Sequence, residues 1–332
     1  MKLPATFERY RPALDQELRS LLAGRELPLY AMLSYHLGWA VAAGLASNGS
    51  TGKALRPTLC LLACEAVGAD YRQVLPAAAA LELVHNFSLV HDDIQDGDQE
   101  RHHRATVWSL WGQGQGINTG NALRVLASLA LLRLEVPWGR QLQAFRLLDE
   151  ACLEMVEGQY LDLAFETQAR VTPEQYLAMI TRKTAALIRC SLQIGAVLGG
   201  AQNGAVAGLG RFGYHLGLAF QIRDDILGIW GDAGTTGKPS ADIRRRKKTF
   251  PVVYALEKSS LVRHAYDKTP LDEADVALVL AELETVDARG YAQRTARHYC
   301  CQARACLESL SLEPAYRREL EETSSFLVER DY

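Results

Sequence analysis

Apolar residues recur at helical spacing over long stretches of this chain: Ala77 to Val90, Leu123 to Leu134, Leu147 to Leu163, Tyr176 to Leu198, Val206 to Ile229 and Val276 to Leu283. Ala, Leu, Glu, Gln and Arg dominate them, residues that lose little conformational freedom in a helix. Pro76 stands just before the first stretch, where its missing N–H costs nothing and its fixed φ suits a helix start. Ala77 to Val90 is apolar nearly all round, which places it inside a bundle. The sequence has no set of alternating β-branched runs separated by hairpin turns, so the pattern predicts an all-α protein. Breakers fall between the helical stretches, at Ser47 to Gly52, Gly112 to Gly116 and Gly231 to Gly237. The Gly112 run reads as a connector, because no strand precedes it to make a phosphate-cradling loop. No linker is polar and long enough to divide the chain, so residues 1–332 are expected to form one all-α domain.

Bulk properties narrow the class. A net charge of −3 gives no reason to expect nucleic acid or an anionic membrane surface as partner. No basic-then-apolar leader pattern follows Met1, and no stretch approaches the ~20 uninterrupted apolar residues of a membrane span. The expectation is a cytoplasmic protein. Its seven cysteines then read as reduced thiols packed between helices. Cys60 and Cys64 lie one helical turn apart, but no His pair has zinc-ligand spacing to complete a site with them.

Two acidic clusters carry the chemistry. The first is His91-Asp92-Asp93-Ile94-Gln95-Asp96, followed by Arg101-His102-His103-Arg104. The second is Gln221-Ile222-Arg223-Asp224-Asp225-Ile226-Leu227-Gly228, followed by Lys238 and Arg244-Arg245-Arg246-Lys247-Lys248. Residues four apart share a helix face, so Asp92 and Asp96 project together, with Asp93 about 100° around. Asp224 and Asp225 end another apolar stretch, which puts their carboxylates at the rim of a cavity. One such pair alone would be a helix cap or a solvated face. Two pairs, each preceded by a largely apolar run, argue otherwise, because desolvating unpaired carboxylates costs several kcal/mol per ion. Carboxylates suit Mg²⁺, which takes one or two of them plus phosphate oxygens. With Lys and Arg nearby, the pattern calls for a diphosphate.

At this point the residues resemble the trans-isoprenyl diphosphate synthases, the head-to-tail chain-elongating prenyltransferases. The parts occur in family order: Gly52-Lys53-Ala54-Leu55-Arg56-Pro57, Asp92-Asp93-Ile94-Gln95-Asp96, Lys183-Thr184, Phe220-Gln221-Ile222-Arg223-Asp224-Asp225, Gly237-Lys238 and Lys247-Lys248-Thr249. The resemblance implies a homodimeric all-α fold, an isoprenoid-synthase-type bundle around a central cavity, with three Mg²⁺ ions per site. Asp92, Asp96 and Asp224 would be direct ligands, with Asp93 and Asp225 supporting them. Arg101, Lys183, Lys238 and Lys247 would clamp an allylic diphosphate. Lys53, Arg56 and His85 would hold isopentenyl diphosphate, with Phe220 and Gln221 beside it and Thr184 near the reacting carbons.

Four positions depart from the family pattern. Gly228 stands where the second acidic motif often ends in Asp, Ser240-Ala241 replaces a common Gly-containing step, and Asn121 replaces an Asp. His102 stands where a second Arg usually serves isopentenyl diphosphate, a change expected either to weaken binding of that substrate above neutral pH or to be compensated locally by His103 or Arg104. Phe87 and Ser88, just behind the first motif, are the chain-length candidates, although an ideal helix turns Phe87 about 140° from Asp92, where it would be a core residue instead. In the family that pair accompanies C20 products, so geranylgeranyl diphosphate is the leading product and farnesyl diphosphate the second. A terpene cyclase on the same fold and a non-catalytic partner subunit are the rival readings. Lys53, Arg56 and His85 oppose the first, and the presence of Asp92, Asp96 and Asp224 opposes the second.

Overall fold

The computed structural model describes residues 4–41, 52–101, 103–231, 240–268 and 270–329. His102 and Lys238 lie outside them, as do the loops read at Ser47 to Gly52 and Gly231 to Gly237 apart from Gly52 and Gly231. The first half runs α1 (Ala5–Leu22), α2 (Pro28–His36), α3 (Leu55–Ala66) and α4 (Leu75–Gln95), then a two-stranded ribbon of β1 (Glu100–Arg101) and β2 (Arg104–Ala105). Next come α5 (Val107–Trp111), α6 (Gln113–Leu131) and α7 (Trp138–Thr167). A third stretch holds α8 (Pro173–Ile180), a π-helical turn (Thr181–Ala185), α9 (Ala186–Leu198) and α10 (Asn203–Trp230). The last third adds α11 (Ala241–Arg244), α12 (Phe250–Lys258), α13 (Ser260–Tyr266), α14 (Glu273–Thr285), α15 (Ala288–Glu308) and α16 (Pro314–Glu329).

The all-α expectation holds, with the ribbon as the β-structure among the described residues. Helices α3, α4, α9 and α10 form the centre. Ala77 to Ala80 are fully buried, and their small side chains let α3, α6 and α9 close around α4. On α10, Phe212 and Leu216 are fully buried, and each such side chain contributes about 1.5–3 kcal/mol by leaving water. All the helices predicted from apolar spacing are present. Among the described residues one helix, Tyr71–Gln95 when its leading 3₁₀ turn is included, is long and apolar enough to cross a membrane, but 61% of its apolar window is buried in the bundle.

The Gly112 run corrects the sequence reading. Gly112, at φ 85°, breaks the chain, but α6 starts at Gln113 and carries Gly114 and Gly116 inside it. A side chain at Gly120, one turn further on, would strike the His91 ring within 2.3 Å. The glycines therefore act through the space they leave, which brings α6 hard against the helix bearing Asp92.

Candidate active site

Helix α4 ends in a Schellman turn that sets the first half of the site. The Asp98 N–H donates to the Asp93 carbonyl at 2.9 Å, and Gly97, at φ 69°, takes the left-handed position such a turn needs. The chain thus doubles back over the helix end, and Arg101 Nε donates to Asp93 Oδ1 at 2.7 Å. Burial pushes the Asp93 carboxyl up to about 6 even with Arg101 beside it.

The second half comes from α7, the π-turn and α10. A π-turn carries an extra residue per turn and marks functional positions more often than ordinary helix. Here it presents Lys183 and Thr184, and glycines on both neighbours clasp it. A side chain at Gly158 of α7 would meet the Lys183 backbone N at 2.2 Å, and one at Gly217 of α10 would meet Ala185 Cα at 2.5 Å. Lys183 Nζ donates to Asp162 Oδ2 at 2.5 Å, and Thr184 Oγ1 donates to Gln221 Oε1 at 2.7 Å. Burial opposes the Lys183 charge, yet Asp162 and Asp92 hold its pKa above the usual lysine range.

These parts enclose a cavity of about 610 Å³, with Asp92, Asp224, Lys183, Thr184, Gln221 and Arg101 among its lining residues. Phe87, Ser88, Met155, Val156, Tyr160 and Leu163 supply apolar and small walls. A second cavity of about 290 Å³ is lined by Lys53, Arg56, His85, Asp93, Arg101 and Arg104. Arg56, His85, Leu89, Arg101 and Phe220 line both cavities, so the two meet at a shared wall. Burial lowers the Arg56 guanidinium to about 10, with Glu82 and Asp224 opposing the drop. Burial, then Arg56 and Arg101, hold His85 well below the usual histidine range, so it serves as a neutral hydrogen-bonding group. Lys247 Nζ reaches Asp96 Oδ2 at 3.0 Å and Arg245 reaches Asp98 at 2.8 Å, which ties the turn before α12 to the end of α4.

Asp225 is the clear correction. It does not face the cavity with Asp224. It is buried, and its carboxylate accepts from Tyr176 Oη at 2.6 Å, Gln221 Nε2 at 3.0 Å and the Phe250 N–H at 3.0 Å. The reason is helical: adjacent residues point about 100° apart, so one of the pair turns inward. Asp225 sits at the N-terminus of α12, where a carboxylate is favoured, and it fixes Gln221 and so Thr184. Burial still raises it to about 7. The geometry makes it a positioning residue.

Sequence reasoning also missed Asp162, which lies among several acids of α7 and whose spacing four residues after Gly158 sets it apart from them only once Lys183 is seen to pack there. It missed Asp242, which no local signal marks. Asp242 Oδ2 lies 1.9 Å from where a Cβ on Gly228 would stand, so its carboxylate fills the space left by the acidic residue missing there. Of the other departures, Ser240 adopts φ 59°, a conformation natural to glycine and strained for serine. Asn121 is exposed on α6.

The carboxylates suit Mg²⁺ in a particular way. Among the described residues no three His, Cys, Asp or Glu side chains stand close enough to cage a metal on their own. Asp92 has its carboxyl raised by burial, opposed by Lys183, with the like charge of Asp96 adding to the rise. It lines one cavity with Asp224. Mg²⁺ keeps waters and binds through one or two carboxylates plus substrate phosphates, so dispersed carboxylates around a diphosphate-sized space fit it.

Fold and site together are those of the isoprenoid-synthase type of helical bundle, the class of the trans-prenyltransferases. The polyprenyl synthetase family model matches residues 41–283. A (2E,6E)-farnesyl diphosphate synthase of Mycobacterium tuberculosis is 39% identical over 309 residues, covering 90% of this chain and 85% of the relative. A geranylgeranyl diphosphate synthase of the same species is 42% identical over 285 residues, 86% of this chain and 81% of its own. The crystal structure of a polyprenyl synthetase from Streptomyces coelicolor superposes with a TM-score of 0.92 at 37% identity, over 98% of this chain and 100% of that one. The chain belongs to the polyprenyl synthetase family and is a short-chain trans-prenyl diphosphate synthase.

Proposed function

We propose that this enzyme condenses isopentenyl diphosphate head-to-tail with an allylic diphosphate, and that its main product is geranylgeranyl diphosphate, with farnesyl diphosphate second. The observation that carries this reading is the pair of cation-lined cavities meeting at Arg56, His85, Arg101 and Phe220. A reaction that joins two diphosphate substrates needs two such pockets, and a cyclase has no use for the second.

The residues divide the work. Lys183, Arg101 and Lys247 hold the charge that grows on the departing diphosphate, already placed and so without reorganisation. Lys53, Arg56 and His85 hold isopentenyl diphosphate with its double bond toward the shared wall. That double bond attacks the allylic carbon as its C–O bond breaks, and a proton is then lost. Thr184, fixed by Gln221, stands beside the reacting carbons. Phe87, Leu89, Met155 and Leu163 exclude water from the cation. Prenyl synthases of this family use Mg²⁺, and three ions held by Asp92, Asp96 and Asp224 would supply Lewis-acid stabilisation of the leaving group.

Phe87 supports the C20 reading because it lines the larger cavity instead of lying wholly in the core, with its ring edge-on to His91 at 4.9 Å. Phe87→Ala is expected to shift the product to longer chains, with C25 or above appearing by chromatography. Unchanged chain length would remove Phe87 from that role.

A homodimer is the expected assembly. Helices α6 and α7 expose a stripe of large apolar side chains, Ile117, Val125, Leu129, Leu142, Leu153, Val156 and Tyr160, with Leu153 62% and Tyr160 71% exposed. Val156 and Tyr160 also wall the larger cavity, so a second copy seated there would close it. Leu153→Asp is expected to shift sedimentation from dimer to monomer and to lower turnover. A wild-type monomer at micromolar concentration would contradict this assembly.

Incubation with isopentenyl diphosphate plus C5, C10 or C15 allylic primers tests the function itself. Elongation ending at C20 is expected. Release of a hydrocarbon from geranylgeranyl diphosphate alone, with no uptake of isopentenyl diphosphate, would establish the cyclase instead.

A further inference from the structure

The ribbon after α4 brings two arginines together. Its register pairs Arg101 with Arg104 and Glu100 with Ala105, so Arg101 and Arg104 are directly opposite and share a face. Like charges in that position are destabilising unless something offsets them. Asp93 offsets Arg101. Among the described residues, none of the contacts of Arg104 is a carboxylate. Its Nη2 donates to the Tyr35 carbonyl at 3.1 Å and the Ala40 carbonyl at 2.9 Å, and its guanidinium lies 4.4 Å from the centre of the Tyr35 ring. Both bonds use one nitrogen, which leaves Nε and Nη1 for an anion.

The cavity beside it has the matching imbalance. Lys53, Arg56, Arg101 and Arg104 line it against the two acids Glu82 and Asp93. Cations grouped on one cavity lining make it a place where an anion is attracted. A planar guanidinium locked by two carbonyls and an aromatic face is already ordered for bidentate contact with phosphate oxygens.

We propose that Arg104, and not the residue directly after Arg101, supplies the second guanidinium to the diphosphate of isopentenyl diphosphate. The replacement of an arginine by His102 then costs little, because the ribbon delivers the charge from the opposite strand. His103, at φ 60°, takes the left-handed conformation in the connection between the strands, one that His adopts more readily than most residues. The assignment rests on reading the smaller cavity as the isopentenyl diphosphate site.

Steady-state kinetics with both substrates varied, on Arg104→Gln, Arg104→Lys and His102→Gln, tests it. Arg104→Gln is expected to raise KM for isopentenyl diphosphate roughly 10- to 100-fold, the loss of one charge-assisted contact. KM for the allylic substrate should stay within about twofold, since one contact on the other diphosphate is what is removed. Arg104→Lys should fall between, because it keeps the charge without the fork, and it serves as the readout if Arg104→Gln does not fold. His102→Gln should change either KM by less than about threefold, well under one charge-assisted contact. An unchanged KM for isopentenyl diphosphate in the folded Arg104 variants, an equal rise for both substrates, or a large rise in His102→Gln would each overturn the assignment. A wild-type enzyme that consumes no isopentenyl diphosphate would refute the function itself, and this assignment with it.

Discussion

Asp92→Ala is expected to lower kcat by roughly 10²- to 10³-fold or more, the range for removing one preorganised group that meets developing charge. Asp92 is the carboxylate of the first acidic cluster that lines the larger cavity with Asp224 and Lys183. Burial and the like charge of Asp96 make its ionised form costly, and Lys183 offsets part of that cost. A carboxylate kept there against desolvation is explained by a cation that arrives with substrate. Removing it takes away that attraction and leaves the stability of the empty bundle unchanged or improved. Product formation at saturating Mg²⁺, with thermal unfolding beside it, separates the two effects. A collapse in turnover with no loss of melting temperature is the expected result. Retention of most activity would remove Asp92 from the metal site.

Gly158→Val should cost nearly as much without touching any charged group. Its Cβ would be forced onto the backbone of Lys183, the N at 2.2 Å and the Cα at 2.6 Å, and backbone cannot swing aside as a side-chain tip can. Overpacking of this kind costs about 1–3 kcal/mol. The π-turn must move away from α7, carrying Lys183 and Thr184 with it. A shift of about 1 Å in positioned groups can cost on the order of 10²-fold in rate. The expected pattern is a lower melting temperature with kcat reduced far more than KM for isopentenyl diphosphate, whose pocket lies on the other side of the shared wall. Gly217→Val, pressing on Ala185 from α10, should give the same pattern. Wild-type kinetics in both would show that the clasp does not set the geometry of Lys183.

How much of this was legible before folding follows from what each feature depends on. Helices α4 and α10 could be read because buried helices need apolar residues all round, and Leu81 to Val90 and Phe212 to Ile222 have them. The acidic clusters could be placed on one cavity because apolar runs precede both. Asp225 could have been set apart from Asp224 by the same 100° argument that separated Asp93 from Asp92, and the apolar run before it concealed this. The Gly112 run misled because glycines signal breaks locally, whereas Gly116 and Gly120 are used for close approach, which only the partner helix reveals. The π-turn leaves no periodic trace in Thr181 to Ala185. Asp242 against Gly228, and Arg104 opposite Arg101, are products of chain crossing and strand register. Neither can be read from spacing along one helix.

The strain at Ser240 and the pairing of Asp242 with Gly228 lie in the same stretch, between α10 and the Lys247 that reaches Asp96. Its departures from the family pattern are accommodated locally, by one left-handed serine and one carboxylate brought in from α11, while Asp92 and Asp224 line one cavity.

Metal binding at the cavity lined by Asp92 and Asp224 is tested most directly by anomalous diffraction from crystals grown with Mn²⁺ in place of Mg²⁺ and inorganic pyrophosphate as ligand. Metal peaks bridging the pyrophosphate to Asp92 and Asp96 on one wall and to Asp224 on the other are the expected result. Pyrophosphate bound away from these carboxylates, or metal peaks that leave Asp92 and Asp224 untouched, would contradict it.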